Sequence, residues 1–266
     1  MKLLNKAREK YTIVFSVFLA LAFVLLNKML GLISDNVVAF IPYYYQDAVD
    51  EFFTLLLALV FVFFFGVHKS AFQRKDTFLN SLKVGGFELA MIALSLISVV
   101  TQDYSFEIIS FDRIVGSIIF VIFVGLAEEL MFRGIIENIL LDKYGTSYNG
   151  VLMSVFLTGA MFGLAHLSNL TMDVPTQSVI IQVLQNIVAG SYYAAIYART
   201  KNIWAVAFLH SLSDFSAFVS SGYFWGVGNV ESCISNLGVL NLITVIIYLI
   251  PTLYLLDKRH FNTKIQ

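Results

Sequence analysis

Long apolar stretches separated by short polar segments predict a chain of membrane-spanning helices. A helix needs about 17 to 25 apolar residues to cross roughly 30 Å of hydrocarbon. Eight stretches meet this requirement: 11–33, 51–67, 84–100, 113–134, 149–167, 178–198, 203–221 and 237–256. The fourth is expected to continue as a helix to about Leu141. With no internal repeat or linker, we predict an all-α, polytopic membrane helical bundle of about eight transmembrane helices, with residues 1–266 as a single membrane domain.

The positions of the basic residues predict the orientation of this bundle. Lys and Arg concentrate in cytoplasmic loops. If the N-terminus is cytoplasmic, the inner segments hold Lys2, Lys6, Arg8, Lys10, Lys69, Arg74, Lys75, Lys83, Lys143, Arg199, Lys201, Lys258, Arg259 and Lys264. The outer loops hold only Arg113. The first stretch lacks a small-x-small cleavage site and is read as an uncleaved span. We expect both termini to be cytoplasmic.

Composition excludes two broad classes. The 266 residues are 58% hydrophobic and 13% charged, whereas a soluble domain carries about 25% charged residues. A soluble globular enzyme is therefore excluded. The 17 basic residues are balanced by 18 acidic ones, which argues against a nucleic-acid partner. The single Cys233 offers no internal disulfide and has no zinc-cluster neighbours.

Ionisable side chains inside spans are costly and usually mark function. The candidates are Lys28, Glu88, Glu128, Glu129, Arg133, Glu137, His166, His210 and Asp214. All except Lys28 and Glu88 fall on the fourth, fifth and seventh helices. This clustering predicts a polar site between those three helices.

The segment AEELMFRGIIE, residues 127–137, carries two carboxylates with different surroundings. Glu129 and Arg133 are four residues apart and share one helix face, with Glu137 a turn further on. Glu128 is rotated by about 100° and lacks a cation on its own face. The segment is either a salt-bridged helix end or a site in which Arg133 anchors Glu129 and Glu128 is a reactive carboxylate.

The fifth and seventh helices each supply a histidine. Phe162 and His166 are four residues apart, as are His210 and Asp214. Each histidine alone is compatible with simple packing. However, Glu128 and His166 are equidistant from Ser147, so an antiparallel hairpin would place them at equal depth. The carboxylate of Asp214 would set the tautomer of His210.

Carboxylates and imidazoles together are suited to activating a water molecule. Glu128 with His166 could remove a proton from water directly. Alternatively, His166, His210 and Glu128 could hold zinc and lower the pKa of a bound water. Both lead to hydrolysis of a carbonyl compound in the membrane. A non-enzymatic transporter or immunity protein using the same cluster as a proton or ion relay is the competing hypothesis.

These motifs resemble the CPBP family of intramembrane proteases, also called Abi or CAAX-protease-like, which includes the type II CAAX prenyl endopeptidase. The family pattern E-E-x-x-x-R, F-x-x-x-H and H-x-x-x-N is matched in order by Glu128, Glu129, Arg133, Phe162, His166, His210 and Asp214. The resemblance covers a core of about 113–221. Its one departure is Asp214, where many relatives have Asn.

The resemblance implies a membrane endopeptidase in which Glu128 and His166 activate water. It also implies that His210 and residue 214 stabilise the oxyanion or order the site, with Glu129, Arg133 and Phe162 in supporting positions. Because an ionised Asp only accepts hydrogen bonds, Asp214 is expected to orient His210. The family has been described both as zinc-dependent and as metal-independent. Bacterial relatives imply a membrane-anchored peptide or protein substrate, a role in bacteriocin maturation or self-immunity, and a bacterial plasma membrane.

Overall fold

The computed structural model describes residues 2–100, 110–222 and 229–259, with side chains described for all of these except 2–5, 35–37 and 100. Among the cations used for the orientation, the side chain of Lys2 and the whole of Lys264 lie outside the described residues. The described part contains α, 3₁₀ and π helices and no strand. The predicted all-α class is confirmed.

Eight long helices follow one another along the chain. They are α1 (Thr12–Val38), α2 (Gln46–Phe64), α3 (Gly86–Val100), α4 (Phe111–Glu129), α5 (Tyr148–Ala165), α6 (Thr176–Thr200), α7 (Ile203–Ser220) and α8 (Ile243–Leu255). Shorter helices connect them: Lys2–Lys10, His68–Ala71, Phe78–Val84, Asn138–Tyr144 and Val230–Ser235. Short 3₁₀ segments cover Tyr43–Tyr45, His166–Thr171 and Val239–Leu242. Each predicted apolar stretch therefore overlaps one long helix.

The predicted count of eight membrane crossings is not confirmed. Five helical segments in the described residues are long and apolar enough to cross a membrane, or six if Phe78–Val84 and Gly86–Val99, which meet at 72°, form one bent span. The helical segment Val239–Leu255 is apolar but shorter, and α2 begins with three acidic residues, Asp47, Asp50 and Glu51. The protein is a multi-pass membrane protein in which α2 and α8 differ from ordinary spans.

The fourth helical segment is longer than a bilayer is thick. It runs without a break over Phe111–Tyr144, 34 residues, or about 50 Å at 1.5 Å per residue. It thus continues past the predicted end at Leu141. Ser147 then starts α5 by accepting a hydrogen bond from the backbone N–H of Gly150 at 3.1 Å. The helical hairpin predicted around Ser147 is present.

Within this continuous segment, residues Leu130–Glu137 form a π-helix. All eight of its side chains are buried. The π-helix is a rare, wider turn that occurs frequently at functional sites. The π-helix directly follows Glu128 and Glu129 and includes Arg133. The E-E-x-x-x-R motif therefore lies where an α-helix changes into a π-helix.

Small residues let α5 pack closely on α6. A Cβ atom at Gly159 would lie 2.6 Å from both the carbonyl oxygen of Ile187 and the backbone nitrogen of Ser191. Close backbone approach at small residues is a standard way for helices to associate in membranes, where lipid removes the hydrophobic driving force between them. The end of α5, which carries Phe162 and His166, is consequently held at a fixed distance from α6.

We predict that Gly159→Ala destabilises the protein, because the new methyl group would overlap the backbone of α6. Overpacking of this kind costs about 1–3 kcal/mol, and thermal unfolding of the purified protein in detergent would measure the loss. Gly31→Ala is the matched control, since a Cβ at Gly31 meets nothing within 4 Å. Equal unfolding temperatures for the two variants would contradict the close contact.

Candidate active site

The long helices surround one cavity of about 1140 Å³. All eight contribute residues to its lining, although the sequence motifs lie only on α4, α5 and α7. The cavity wall contains five of the seven predicted site residues: Glu128, Phe162, His166, His210 and Asp214. The other two, Glu129 and Arg133, are buried behind this wall. The structure therefore brings together the residues that the sequence singled out on three helices.

A buried ion pair anchors the site. Arg133 and Glu129 are both fully inaccessible to solvent, and Arg133 Nη1 lies 2.8 Å from Glu129 Oε1. The second guanidinium nitrogen, Nη2, donates to the carbonyl oxygen of Gly190 on α6 at 2.8 Å. Arg133 thus ties α6 to Glu129 through two charge-assisted hydrogen bonds, which are stronger than neutral ones. The predicted pairing of Glu129 and Arg133 is present.

The same carboxylate orients His210. The Nδ1 atom of His210 lies 2.8 Å from Glu129 Oε1, so a ring that donates from Nδ1 turns its Nε2 atom toward the cavity. Nε2 lies 3.6 Å from both Glu128 Oε2 and Asp214 Oδ2. At that separation the two carboxylates are ion-pair contacts of a protonated ring rather than direct hydrogen bonds. The carboxylate that hydrogen-bonds the ring is therefore Glu129, whereas Asp214, expected to orient His210, faces the opposite nitrogen.

His166 has a hydrogen bond that fixes its tautomer. Its Nδ1 atom lies 2.9 Å from the backbone carbonyl oxygen of Phe162. A carbonyl oxygen only accepts hydrogen bonds, so Nδ1 carries the proton and the neutral ring keeps its acceptor at Nε2. His166 stands where α5 ends and the 3₁₀ segment begins. It therefore offers a proton acceptor at the cavity wall.

Phe162 holds the two histidines and Arg133 in place. Its ring contacts the rings of His166 and His210 edge-on, with centroids 5.1 Å and 5.7 Å away. The Arg133 guanidinium lies over the same ring at 4.6 Å. A Cβ at Gly190 would come within 2.7 Å of this ring. The backbone carbonyl at position 190 binds Arg133, and the missing side chain of Gly190 leaves room for the Phe162 ring, a role that the sequence motifs did not reveal.

Two predicted relationships differ in the structure. Among the described residues no ion pair joins Glu128 to His166; the two side chains share the cavity, and the charged partner of Glu128 is His210. Glu137 does not extend the pairing of Arg133 either. It is fully buried, and neither of its carboxyl oxygens has a hydrogen-bond partner in the described part of the chain. Arg133 is directed instead to Glu129 and to the carbonyl oxygen of Gly190.

Sequence motifs also missed three cavity residues. The ring of Tyr193 stacks on His210 at 5.3 Å with an interplanar angle of 16°. Glu51 and Glu88 add carboxylates from α2 and α3. Glu88 had a detectable signal, since it is an ionisable residue inside an apolar stretch. Tyr193 had none, because an aromatic residue in an apolar helix is ordinary.

The side chains at the cavity are of the types that zinc prefers, imidazole and carboxylate. The expected ligands were His166, His210 and Glu128. In the ranges that the structure describes, however, no three His, Cys, Asp or Glu side chains are arranged to hold a metal ion. The described residues do not form a metal site in this arrangement.

We predict that Arg133→Met strongly destabilises the fold, because Glu129 would remain buried without its cation. Breaking a buried ion pair from one side costs about 3–5 kcal/mol, measurable as thermal unfolding in detergent. Adding Glu129→Gln to Arg133→Met should restore part of the loss. Arg74→Leu, at an exposed position, is the control. An Arg133→Met variant as stable as the control would show that the pair does not stabilise the fold.

The comparisons with known proteins point to the same segment. Residues 110–216 match the family model described as type II CAAX prenyl endopeptidase Rce1-like. No curated protein matches the chain. No solved structure matches it either. The matched segment covers about two fifths of the 266 residues and contains every predicted site residue. The part of the chain that carries the candidate site is therefore similar to the type II CAAX prenyl endopeptidase Rce1-like family.

Proposed function

We propose that this protein is an intramembrane endopeptidase that hydrolyses a peptide bond in a membrane-associated substrate. One observation carries the proposal. Glu128, His166 and His210 face one cavity between membrane helices, and each imidazole has its Nδ1 atom held by an acceptor. Both rings therefore present Nε2 to the cavity. Such an arrangement is suited to activating a water molecule where a substrate backbone can enter.

Glu128 and His166 are the proposed water-activating groups. Water bound between the Glu128 carboxylate and Nε2 of His166 loses a proton to one of them as its oxygen attacks the peptide carbonyl carbon. A tetrahedral intermediate with a negatively charged oxygen forms. As the carbon–nitrogen bond breaks, the same proton is returned to the leaving amine. Water is consumed, and a carboxylic acid and an amine are released.

His210 is the proposed donor to the developing oxyanion. Nδ1–H is bound to Glu129, so in the doubly protonated ring Nε2–H is the group that points at the cavity. Donors held in place before the reaction stabilise an oxyanion without reorganising. Asp214, 3.6 Å from Nε2, helps to hold this ring and a neighbouring water. Glu129 and Arg133 act through His210 and are positioning residues.

We also propose a location and a biological setting. The cation pattern favours cytoplasmic termini, and the short loops favour a bacterial plasma membrane. The bacterial relatives of this family suggest maturation of a bacteriocin or immunity to it. The substrate would be a membrane-anchored peptide or protein that reaches the cavity from the bilayer.

We predict that Glu128→Gln lowers kcat for cleavage of a tagged, membrane-anchored peptide by about 10²–10⁴-fold, because general base catalysis contributes about that much. His166→Gln should lower kcat by a similar factor. The assay uses the purified full chain in detergent micelles. His68→Gln is the matched control, because His68 stacks on Phe63 outside the cavity. This variant should cleave the peptide at the wild-type rate.

Two further measurements separate the alternatives. If wild type and both site variants cleave equally, the water-activation proposal is wrong. If none cleaves and proton flux into proteoliposomes depends on Glu128, the cluster is an ion relay. Activity that is lost with a zinc chelator and restored by zinc alone would assign activation to the metal, whereas activity unchanged by the chelator supports direct activation by Glu128 and His166.

A further inference from the structure

The cavity is strongly acidic beyond the groups that the proposed reaction uses. Six carboxylate side chains line it: Asp47, Asp50, Glu51, Glu88, Glu128 and Asp214. Among the described lining residues the only Lys or Arg is Lys28. Its Nζ atom donates to the hydroxyl of Thr171 at 3.1 Å. Even when His210 is protonated and pairs with Glu128 and Asp214, the wall carries more acidic than basic groups in a site that a substrate must enter.

Three of these carboxylates come from one face of α2. Asp47, Asp50 and Glu51 are spaced three and four residues apart, so their side chains lie on one side of the helix. Thr54 extends the same face and donates a hydrogen bond to Asn27 on α1 at 2.7 Å. Glu51 lies within electrostatic range of Glu128. The acidic face of α2 is thus turned toward the proposed catalytic carboxylate.

Glu88 gives a second and independent indication of a ligand. It lies on α3 in the cavity wall and is fully buried, and neither carboxyl oxygen has a hydrogen-bond partner among the described residues. The hydroxyl groups of Tyr193, Ser213 and Tyr248 lie around it. A buried carboxylate without a counter-charge is expensive. The hydroxyl groups around Glu88 are neutral, so what Glu88 lacks among the described residues is an ion-pair partner, which a cationic ligand would supply.

On the basis of the proposed endopeptidase function, we propose that the cavity selects a peptide segment carrying Lys or Arg close to the scissile bond. The substrate cation occupies the space between Glu51 and Glu88, beside Glu128. A protonated side chain is the simplest group that relieves several neighbouring carboxylates at once. A volume of about 1140 Å³ lies just above the usual range of small-ligand pockets, which suits a peptide segment rather than a single ion.

Peptide binding tests this inference without requiring cleavage. Two fluorescent, membrane-anchored peptides that differ only by Lys or Gln at one position are titrated against the full chain in detergent at low salt. The Glu128→Gln variant is used so that neither peptide is cut. We predict that the Lys peptide binds at least about tenfold more tightly, as one charge-assisted hydrogen bond would give. Equal affinities would overturn the proposal.

Variants then locate the preference. Glu51→Gln combined with Glu88→Gln should reduce the Lys-to-Gln affinity ratio to less than about threefold, because the two acceptors that favour the charge are neutralised. Glu9→Gln removes an exposed carboxylate outside the cavity and should keep the full ratio. If the double variant keeps the full Lys-to-Gln affinity ratio, the substrate cation does not lie between Glu51 and Glu88. If wild type binds the Lys peptide selectively but cleaves neither peptide, the proposed endopeptidase function is wrong, while the proposed binding preference stands. The two proposals therefore fail by different results.

Discussion

The fully buried ion pair between Glu129 and Arg133 is the constraint on which the rest of the site depends. Arg133 holds the Glu129 carboxylate and the carbonyl of Gly190, and Glu129 in turn holds Nδ1 of His210. One chain of hydrogen bonds therefore connects α6, the π-helix, α4 and α7. Two charges buried in a membrane protein are costly unless well paired. Here the pair holds the ring of His210, whose Nε2 atom faces the cavity.

Phe162 and the close packing of α5 on α6 complete this support. The Phe162 ring contacts the Arg133 guanidinium and both imidazoles. Its carbonyl fixes the tautomer of His166. Small residues on both helices, Gly159 and Gly190 among them, allow this proximity. Helix packing and imidazole orientation are consequently parts of the same arrangement, and they leave both Nε2 atoms directed into one space.

Much of this arrangement follows from sequence pattern. The apolar stretches locate the eight long helices, and the four-residue spacing of Glu129 and Arg133 predicts their pairing. The rarity of charge in membrane helices draws attention to Glu128, His166, His210 and Asp214. The position of Ser147 midway between Glu128 and His166 predicts the helical hairpin.

The remainder depends on interactions that a linear pattern does not contain. A π-helix at Leu130–Glu137 changes the helical phase, so Glu137 is not on the face that a regular helix gives it. Glu129 rather than Asp214 holds the His210 ring, which depends on how α7 packs against α4. The roles of Gly190 and Tyr193 also come from packing between helices distant in the sequence. The predicted count of eight crossings is not confirmed, and at α2 the acidic residues Asp47, Asp50 and Glu51 line the cavity.

The most direct test of the central claim is a double-mutant cycle on cleavage rate. One membrane-anchored peptide is cleaved by wild type, Glu129→Gln, Arg133→Met and the combined variant, each confirmed as folded. If Glu129 and Arg133 act as one unit through His210, the combined variant cleaves no more slowly than Glu129→Gln alone, as is found for residues that work together. If the fold-losses in cleavage rate of the two single variants multiply in the combined variant, this account is contradicted.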